Sequence, residues 1–253
     1  MAVIFSDLSV RAVKQPMIHW RCLLLVYSRI DVTIPKNLIF RNRFVHELSS
    51  KEINDAIKSF ESFPGLVANL TEEEAGINWE IVHCERALTS LTKMGDGFWW
   101  PSPTNTAAEL KQYLLDGTYH SVFVLWPQTN FQSNESIRSA GWGLGMGGSD
   151  LSMGATYATV ANAPSWMWEI PLTGEIWLHE WLHGVCYHFS QLGYKMPDGD
   201  ADGGDRHGYT QSPERGWTDY YRDLMNGRVV DNGEPTGIPK SAWSIPLHKS
   251  NPR

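Results

Sequence analysis

Cysteine is scarce in this chain: Cys22, Cys84 and Cys186 are the only three in 253 residues, and no two form a CxxC pair. An odd, scattered set makes no disulfide framework and fits a reducing compartment. Positive charge is thin as well. Lys and Arg number 21 against 28 Asp and Glu, the formal net charge is −7, and no dense basic run occurs. Such a surface does not match the phosphate backbone, so nucleic acid is not an expected partner. Long apolar runs are also missing. Cys22 to Tyr27 (CLLLVY) is far too short to span a bilayer and reads as a buried strand. Met1 to Val10 lacks both a basic n-region and a long apolar h-region, so neither a signal peptide nor a membrane helix is expected. The expected location is cytoplasmic, and the sequons at Asn69 and Asn134 then carry no weight. No repeat or low-complexity tract is present.

Apolar residues make up 42% of the chain and charged residues 19%, an ordinary globular balance. The length suits one large domain or two small lobes around a cleft. Tryptophan is abundant. Eight of the twelve lie between Trp99 and Trp181. Core packing accounts for most such rings, and an aromatic wall for an apolar or ring-shaped ligand is the functional alternative.

Local pattern predicts the elements. A strand is expected from Cys22 to Val32, ended by Pro35. Apolar residues at Ile53, Ala56, Ile57 and Phe60 predict a helix over Lys51–Phe60, stopped by Pro64-Gly65. Ile77–Cys84 alternates and reads as a strand, Gly95–Pro103 as a loop, and Thr106–Leu115 as a helix closed by Asp116-Gly117. Ser121–Trp126 (SVFVLW) is a strong buried strand. The glycine-rich stretch Gly141–Gly154, followed by Ala155–Val160, reads as loop or edge strand where another backbone can come close. It carries no phosphate-loop signature. Thr173 is placed to cap a helix from Gly174 to about Leu192, which Gly193 ends. A short helix is expected near Glu214–Met225, and the tail beyond Gly227 reads as irregular.

The run His179-Glu180-Trp181-Leu182-His183 lies inside that capped helix. Residues four apart share one helix face, so the two imidazoles can hold one tetrahedral zinc. Glu180 lies about 100° round from His179. Its carboxylate can then act as general base on an activated water without being a ligand. The plain alternative is two surface histidines beside an ordinary Glu; the surrounding Ile176, Leu178, Leu182, Val185 and Cys186 make the helix amphipathic and favour the metal site.

His179, Glu180 and His183, set after a glycine-rich edge strand, resemble the zincin superfamily of zinc metallopeptidases. The resemblance covers roughly residues 120 to 225. It implies an α+β, zincin-like fold: a mixed twisted sheet, an active-site helix and a smaller irregular C-terminal lobe. Residues 1–253 would form one zincin-like catalytic domain, its upper lobe ending near residue 192 and its lower lobe covering 193–253. No named subfamily fits. The metzincin pattern needs a glycine three residues and a His six residues after the second His, where this chain has Cys186 and Phe189.

The third ligand stays open. His188 is five residues from His183, about 140° away round the helix. The loop Pro197–Tyr209 (PDGDADGGDRHGY) is better placed, and His207 is preferred there because imidazole is a favoured zinc ligand. Asp198, Asp200, Asp202 and Asp205 are alternatives, with Asp202 the most central, and Glu214 another. Asp198-x-Asp200-x-Asp202-Gly203 also copies half of a calcium loop, but Tyr209 stands where the closing Glu belongs, so calcium over Asp198–Asp205 is a minor expectation. Tyr209, ahead of Tyr220 and Tyr221, is the preferred phenol for stabilising an oxyanion. Met225 could underlie the metal, though such a residue is more often core.

The leading expectation is therefore a zinc-dependent hydrolase, a metallopeptidase cutting peptides. The first alternative is a zinc enzyme using the metal as Lewis acid on a small apolar or aromatic molecule, by cyclisation, elimination or hydrolysis. The second is a non-catalytic zinc-binding protein, against which the intact Glu180 speaks.

Overall fold

The computed structural model describes residues 18–35, 41–95, 97–114, 118–147 and 156–245. The leader reading of Met1–Val10, the Asp116-Gly117 helix stop and the part of the glycine-rich stretch over 148–155 lie outside the described residues.

Strand β1 (Ile18–Tyr27) is buried on both faces from Cys22 to Tyr27, as a central parallel strand should be. It pairs in parallel with β4 (Ala75–Cys84) on one side and β7 (Ser121–Trp126) on the other. Beyond β7 come β11 (Thr156–Ala161), parallel, and β10 (Gly143–Gly147), antiparallel at the edge. The five-stranded mixed sheet thus runs β10-β11-β7-β1-β4. Alternation along the strands divides two cores. Leu24, Val26, Phe123, Leu125, Ala158 and Val160 face one layer, where helices α1 (Ser50–Leu70) and α3 (Glu175–Gln191) pack. Leu23, Leu25, Val122, Val124 and Tyr157 face the other, covered by helix α2 (Ala107–Tyr113) and the hairpin of β2 (Arg29–Pro35) with β3 (Arg41–Glu47). Two further pairs, β5 (Thr92–Lys93) with β6 (Trp99–Trp100) and β8 (Thr129–Asn130) with β9 (Glu135–Ser136), are short antiparallel contacts. Helix α4 (Thr218–Leu224) and the hairpin β12 (Val229–Asp231)–β13 (Glu234–Thr236) complete the chain on the α3 side. Among the described residues the fold is mixed α/β with four helices, and no helix is long and apolar enough to cross a membrane.

Several elements differ from their local pattern. Helix α1 does not stop at Pro64 but continues to Leu70. An interior proline costs roughly 3 kcal/mol. Phe60, Phe63, Val67 and Leu70 are all buried on one side of it, and each such side chain contributes about 1.5–3 kcal/mol. A Ser49/Glu52 capping box secures its start. The strand expected over Cys22–Val32 is two, broken at Ser28 as the chain leaves the main sheet for the β2–β3 hairpin. The expected loop over Gly95–Pro103 holds β6, and the tail holds the β12–β13 hairpin. The last helix is shorter than Glu214–Met225 because a Ser212–Gly216 bridge occupies its first residues.

Half of the twelve tryptophans are buried in the core. Trp20, Trp126, Trp177, Trp181 and Trp243 are fully buried, with Trp20 edge-on to Trp181 and Trp243 stacked on it. Cys22, Cys84 and Cys186 are buried free thiols.

Candidate metal centre

Helix α3 begins at Glu175, and its N-cap is Gly174 where Thr173 was expected. Gly174 sits at φ +91°, and no side chain caps the helix. An added Cβ at Gly174 would crowd the backbone of α1 at Phe63, so glycine lets the two helices meet there. At the other end Gly193 (φ +93°) turns the chain, and the Tyr194 amide bonds back to Phe189.

The glycines of β10 have a specific use. Gly143, Gly145 and Gly147 are two apart and share one face of the strand. A Cβ on them would collide with the Glu180 carboxyl, the Glu180 carbonyl and the Tyr187 ring, respectively. From the helix side, a Cβ on Gly184 would meet Thr156 and the Met146 carbonyl. The edge strand therefore lies directly on the α3 ridge of Glu180, His183, Gly184 and Tyr187. It buries Glu180 while leaving the two histidines half-buried.

His179, Glu180 and His183 each offer an atom within 4.8 Å of the others, the one group among the described residues that could hold a metal ion. The imidazole planes are 85° apart. Each Nδ1 is engaged from behind: His179 lies 2.8 Å from the Tyr221 hydroxyl, and His183 donates to Asp200 Oδ1 at 2.7 Å. The His183 Nε2 lone pair is thus left for a cation, and so is that of His179 in the tautomer whose Nδ1–H donates to Tyr221. Both Nε2 atoms face Asp202, at 3.4 Å from Oδ1 for His179 and 3.8 Å from Oδ2 for His183. Two ligands on a tetrahedral ion with bonds of about 2.0–2.2 Å lie roughly 3.3–3.5 Å apart. The cluster of His179, Glu180 and His183 could therefore hold a metal ion, with Asp202 facing the two imidazoles beside it. Glu180 Oε1 stands 4.0 Å from His179 Nε2, beside the donors and not among the closest of them.

The electrostatics follow from burial. Glu180 is pushed up to about 8, chiefly by burial; the charge of His183 and the Gly145 amide oppose this and Asp202 adds to it. Burial also holds His179 down to about 4, helped by His183. Burial opposes charge on His183 too, but the Asp200 hydrogen bond and the carboxylates around it outweigh that and raise its pKa.

The structure does not bring His207 to this cluster. Its Nε2 lies 2.9 Å from the Asp198 carbonyl and its ring stacks on Tyr220, while Asp202 is the loop residue that faces the two histidines. Two short 3-10 turns, Asp200–Asp202 and Asp205–His207, set this outcome. Asp200 sits at φ +38°, its carbonyl accepts from Tyr220 and its carboxylate holds His183. Asp202, two residues on, then faces the Nε2 atoms. Tyr209 is likewise elsewhere, donating to Asp223 at 2.7 Å, and the phenol at the cluster is Tyr221. His188 packs edge-on to Trp20, Glu214 is exposed, and Met225 is core. The calcium reading finds no convergence: Asp198 pairs with Arg206, Asp200 with His183, and Asp205 accepts the Arg206 amide.

Two hollows adjoin the cluster. One, about 460 Å³, is lined by Gly141–Gly145, Glu180, His183 and Asp202. The other, about 330 Å³, is lined by Trp142, Trp166, Ile170, Trp217 and Tyr221, with Glu175 and His179. Trp142 and Trp166, from the tryptophan-rich stretch, and Trp217, from outside it, line this second hollow. Compared with protein family models, curated proteins and solved structures, the chain matches none.

Proposed function

We propose that this chain is a zinc-dependent hydrolase of the zincin type, most plainly a metallopeptidase, with His179, His183 and Asp202 as ligands and Glu180 as general base. The observation that carries the reading is the joint placement of two outward-held imidazoles, a facing carboxylate and a buried second carboxylate under a glycine-cleared edge strand. Histidine with carboxylate is a common catalytic zinc set. When bound, zinc would supply Lewis acidity, polarising a carbonyl and making water a better nucleophile near neutral pH.

The rest falls to the chain's own side chains. Glu180 takes the proton of the attacking water at its carboxylate oxygen and returns it to the leaving nitrogen. Asp200 and Tyr221 fix the ring orientation of His183 and His179. The exposed backbone edge of β10 beside Glu180 suits an extended peptide, which would add to the sheet. On this reading the described residues belong to one catalytic domain.

The test is cleavage of an unbiased peptide library by the zinc-loaded chain. Cleavage that a chelator removes and zinc restores is the expected result. No peptide cleaved under any zinc loading would overturn the peptidase reading. The aromatic hollow supports one alternative, Lewis-acid chemistry on a small aromatic molecule. Zinc-dependent turnover of such a molecule with no peptide cut would favour it.

A further inference from the structure

Glu175 is a buried carboxylate that the proposed hydrolysis does not use. It is 6% exposed and lines the aromatic hollow beside His179. Its Oε1 accepts the Trp217 amide at 2.6 Å, while its Oε2 is buried with no hydrogen-bond partner. No Lys or Arg among the described residues offsets its charge. Buried polar atoms are nearly always partnered, and a carboxylate accepts several hydrogen bonds, so an unfilled oxygen here is an exception with a location. Gly216, at φ +55°, matters to that location: a Cβ there would collide with the Glu175 carboxyl, so glycine is what lets the loop close over it.

The walls around this carboxylate are Trp142, Trp166 and Trp217, with Ile170, Ile176 and Tyr221. Indole faces attract cations and pack well on aliphatic stems. A wholly apolar guest would gain the packing but leave Oε2 buried and unpaired. A guest with an apolar stem and a cationic, hydrogen-bonding head satisfies both. At about 330 Å³ the hollow is at the small end of ligand sites, suited to one side chain. His179 is shared with the polar hollow, so whatever the pocket holds is held next to the reacting centre.

We propose that this hollow is a specificity pocket for a cationic side chain of the substrate, a guanidinium or ammonium on an apolar stem, with Glu175 as its counter-ion. That it acts on a substrate rests on the hydrolase reading; that it binds a cation does not.

The test is therefore binding and not turnover. Tryptophan fluorescence of the full chain is titrated with benzamidinium and with neutral benzamide, each with and without one equivalent of zinc. The expected result is benzamidinium bound at least about tenfold tighter than benzamide in both conditions, since tenfold is the discrimination one charge-assisted hydrogen bond readily provides. Glu175→Gln keeps a carbonyl oxygen for the Trp217 amide and is expected to bind the two probes alike. Should that variant not fold, Trp166→Ala serves: Trp166 is 62% exposed at the rim, and its loss is expected to weaken benzamidinium binding several-fold at an unchanged circular dichroism spectrum. Equal or absent binding of the two probes by the unaltered chain would overturn the proposal. So would a preference that survives Glu175→Gln, or benzamidinium affinity untouched by Trp166→Ala. If the library shows no peptide cleavage while the cation preference holds, the peptidase reading fails and the pocket stands.

Discussion

The two hollows share Trp142, Ile176 and His179, yet they are built from opposite chemistries. On one side glycine backbone, two histidines and two carboxylates meet. On the other, indoles surround a single carboxylate. On the proposed reading, the two hollows divide the labour along one helix. Residues 180 and 183 of α3 face the polar hollow, residue 175 the aromatic one, and residues 176 and 179 border both. Helical spacing alone separates chemistry from recognition by one turn.

If that division is real, changes on one side should spare the other. The largest effect is expected for Glu180→Gln. Turnover should fall by about 10² to 10⁴ with zinc retained, because in the proposed mechanism Glu180 moves a proton and is not a ligand. Benzamidinium binding should be unchanged, and a variant that keeps full turnover breaks the assignment of Glu180.

The metal side can be sharpened next by competing variants against a chelator of known affinity. Asp202→Ala should weaken zinc binding at least as much as an outer partner does, roughly 10- to 100-fold or more. His207→Ala should leave it within experimental error, because that ring faces Asp198 and Tyr220. The reverse order would return the third ligand to His207. Asp200→Asn and Tyr221→Phe probe the backs of the two histidines. Each should cost roughly 10- to 100-fold in metal affinity or activity. Asn is a fair substitute at φ +38°, so a loss there reports the lost charge and not the backbone.

Packing gives a smaller effect. Gly145→Ala places a methyl against the Glu180 carbonyl and the His183 side chain. Overpacking of this kind costs about 1–3 kcal/mol, readable as a drop of several degrees in melting temperature. An unchanged melting temperature would mean that the strand and helix are further apart than described.

The smallest effect is the pH dependence carried by Glu175. Burial pushes it up to about 7 from an ordinary 4.5, against the pull of the Trp217 amide. The folded chain then holds this proton where the unfolded chain has released it. Its contribution to stability is full below about 4.5 and is lost as the pH rises through about 7. Thermal unfolding followed from pH 5 to 8 should thus fall less steeply for Glu175→Gln than for the unaltered chain. Parallel curves would show that Glu175 does not carry a raised pKa.

What was legible beforehand depended on short-range pattern. His179, Glu180 and His183 are read from helical spacing, and the glycines of β10 from the fact that only glycine admits a neighbouring backbone. The buried strand Ser121–Trp126 was equally plain. Asp202 was not, because ligand type ranks His207 first while direction is set by contacts no local pattern shows. Those contacts are Tyr220 on the Asp200 carbonyl, Asp200 on His183 and Arg206 on Asp198. Tyr221 ranks behind Tyr209 in the sequence for the same reason: it lies 42 residues from His179 and meets it only through the packing of α4 on α3. Helix α1 ran past Pro64 because long-range burial outweighed a local breaker.

The central claim is that His179, His183 and Asp202 hold one metal ion beside Glu180. Anomalous diffraction at the zinc edge, from crystals grown with one equivalent of zinc, tests it most directly. The expected result is a single strong peak about 2.0–2.2 Å from the Nε2 atoms of both histidines and from one oxygen of Asp202. A peak coordinated by His207 without Asp202, or no peak at His179 and His183 in zinc-containing crystals, would contradict it.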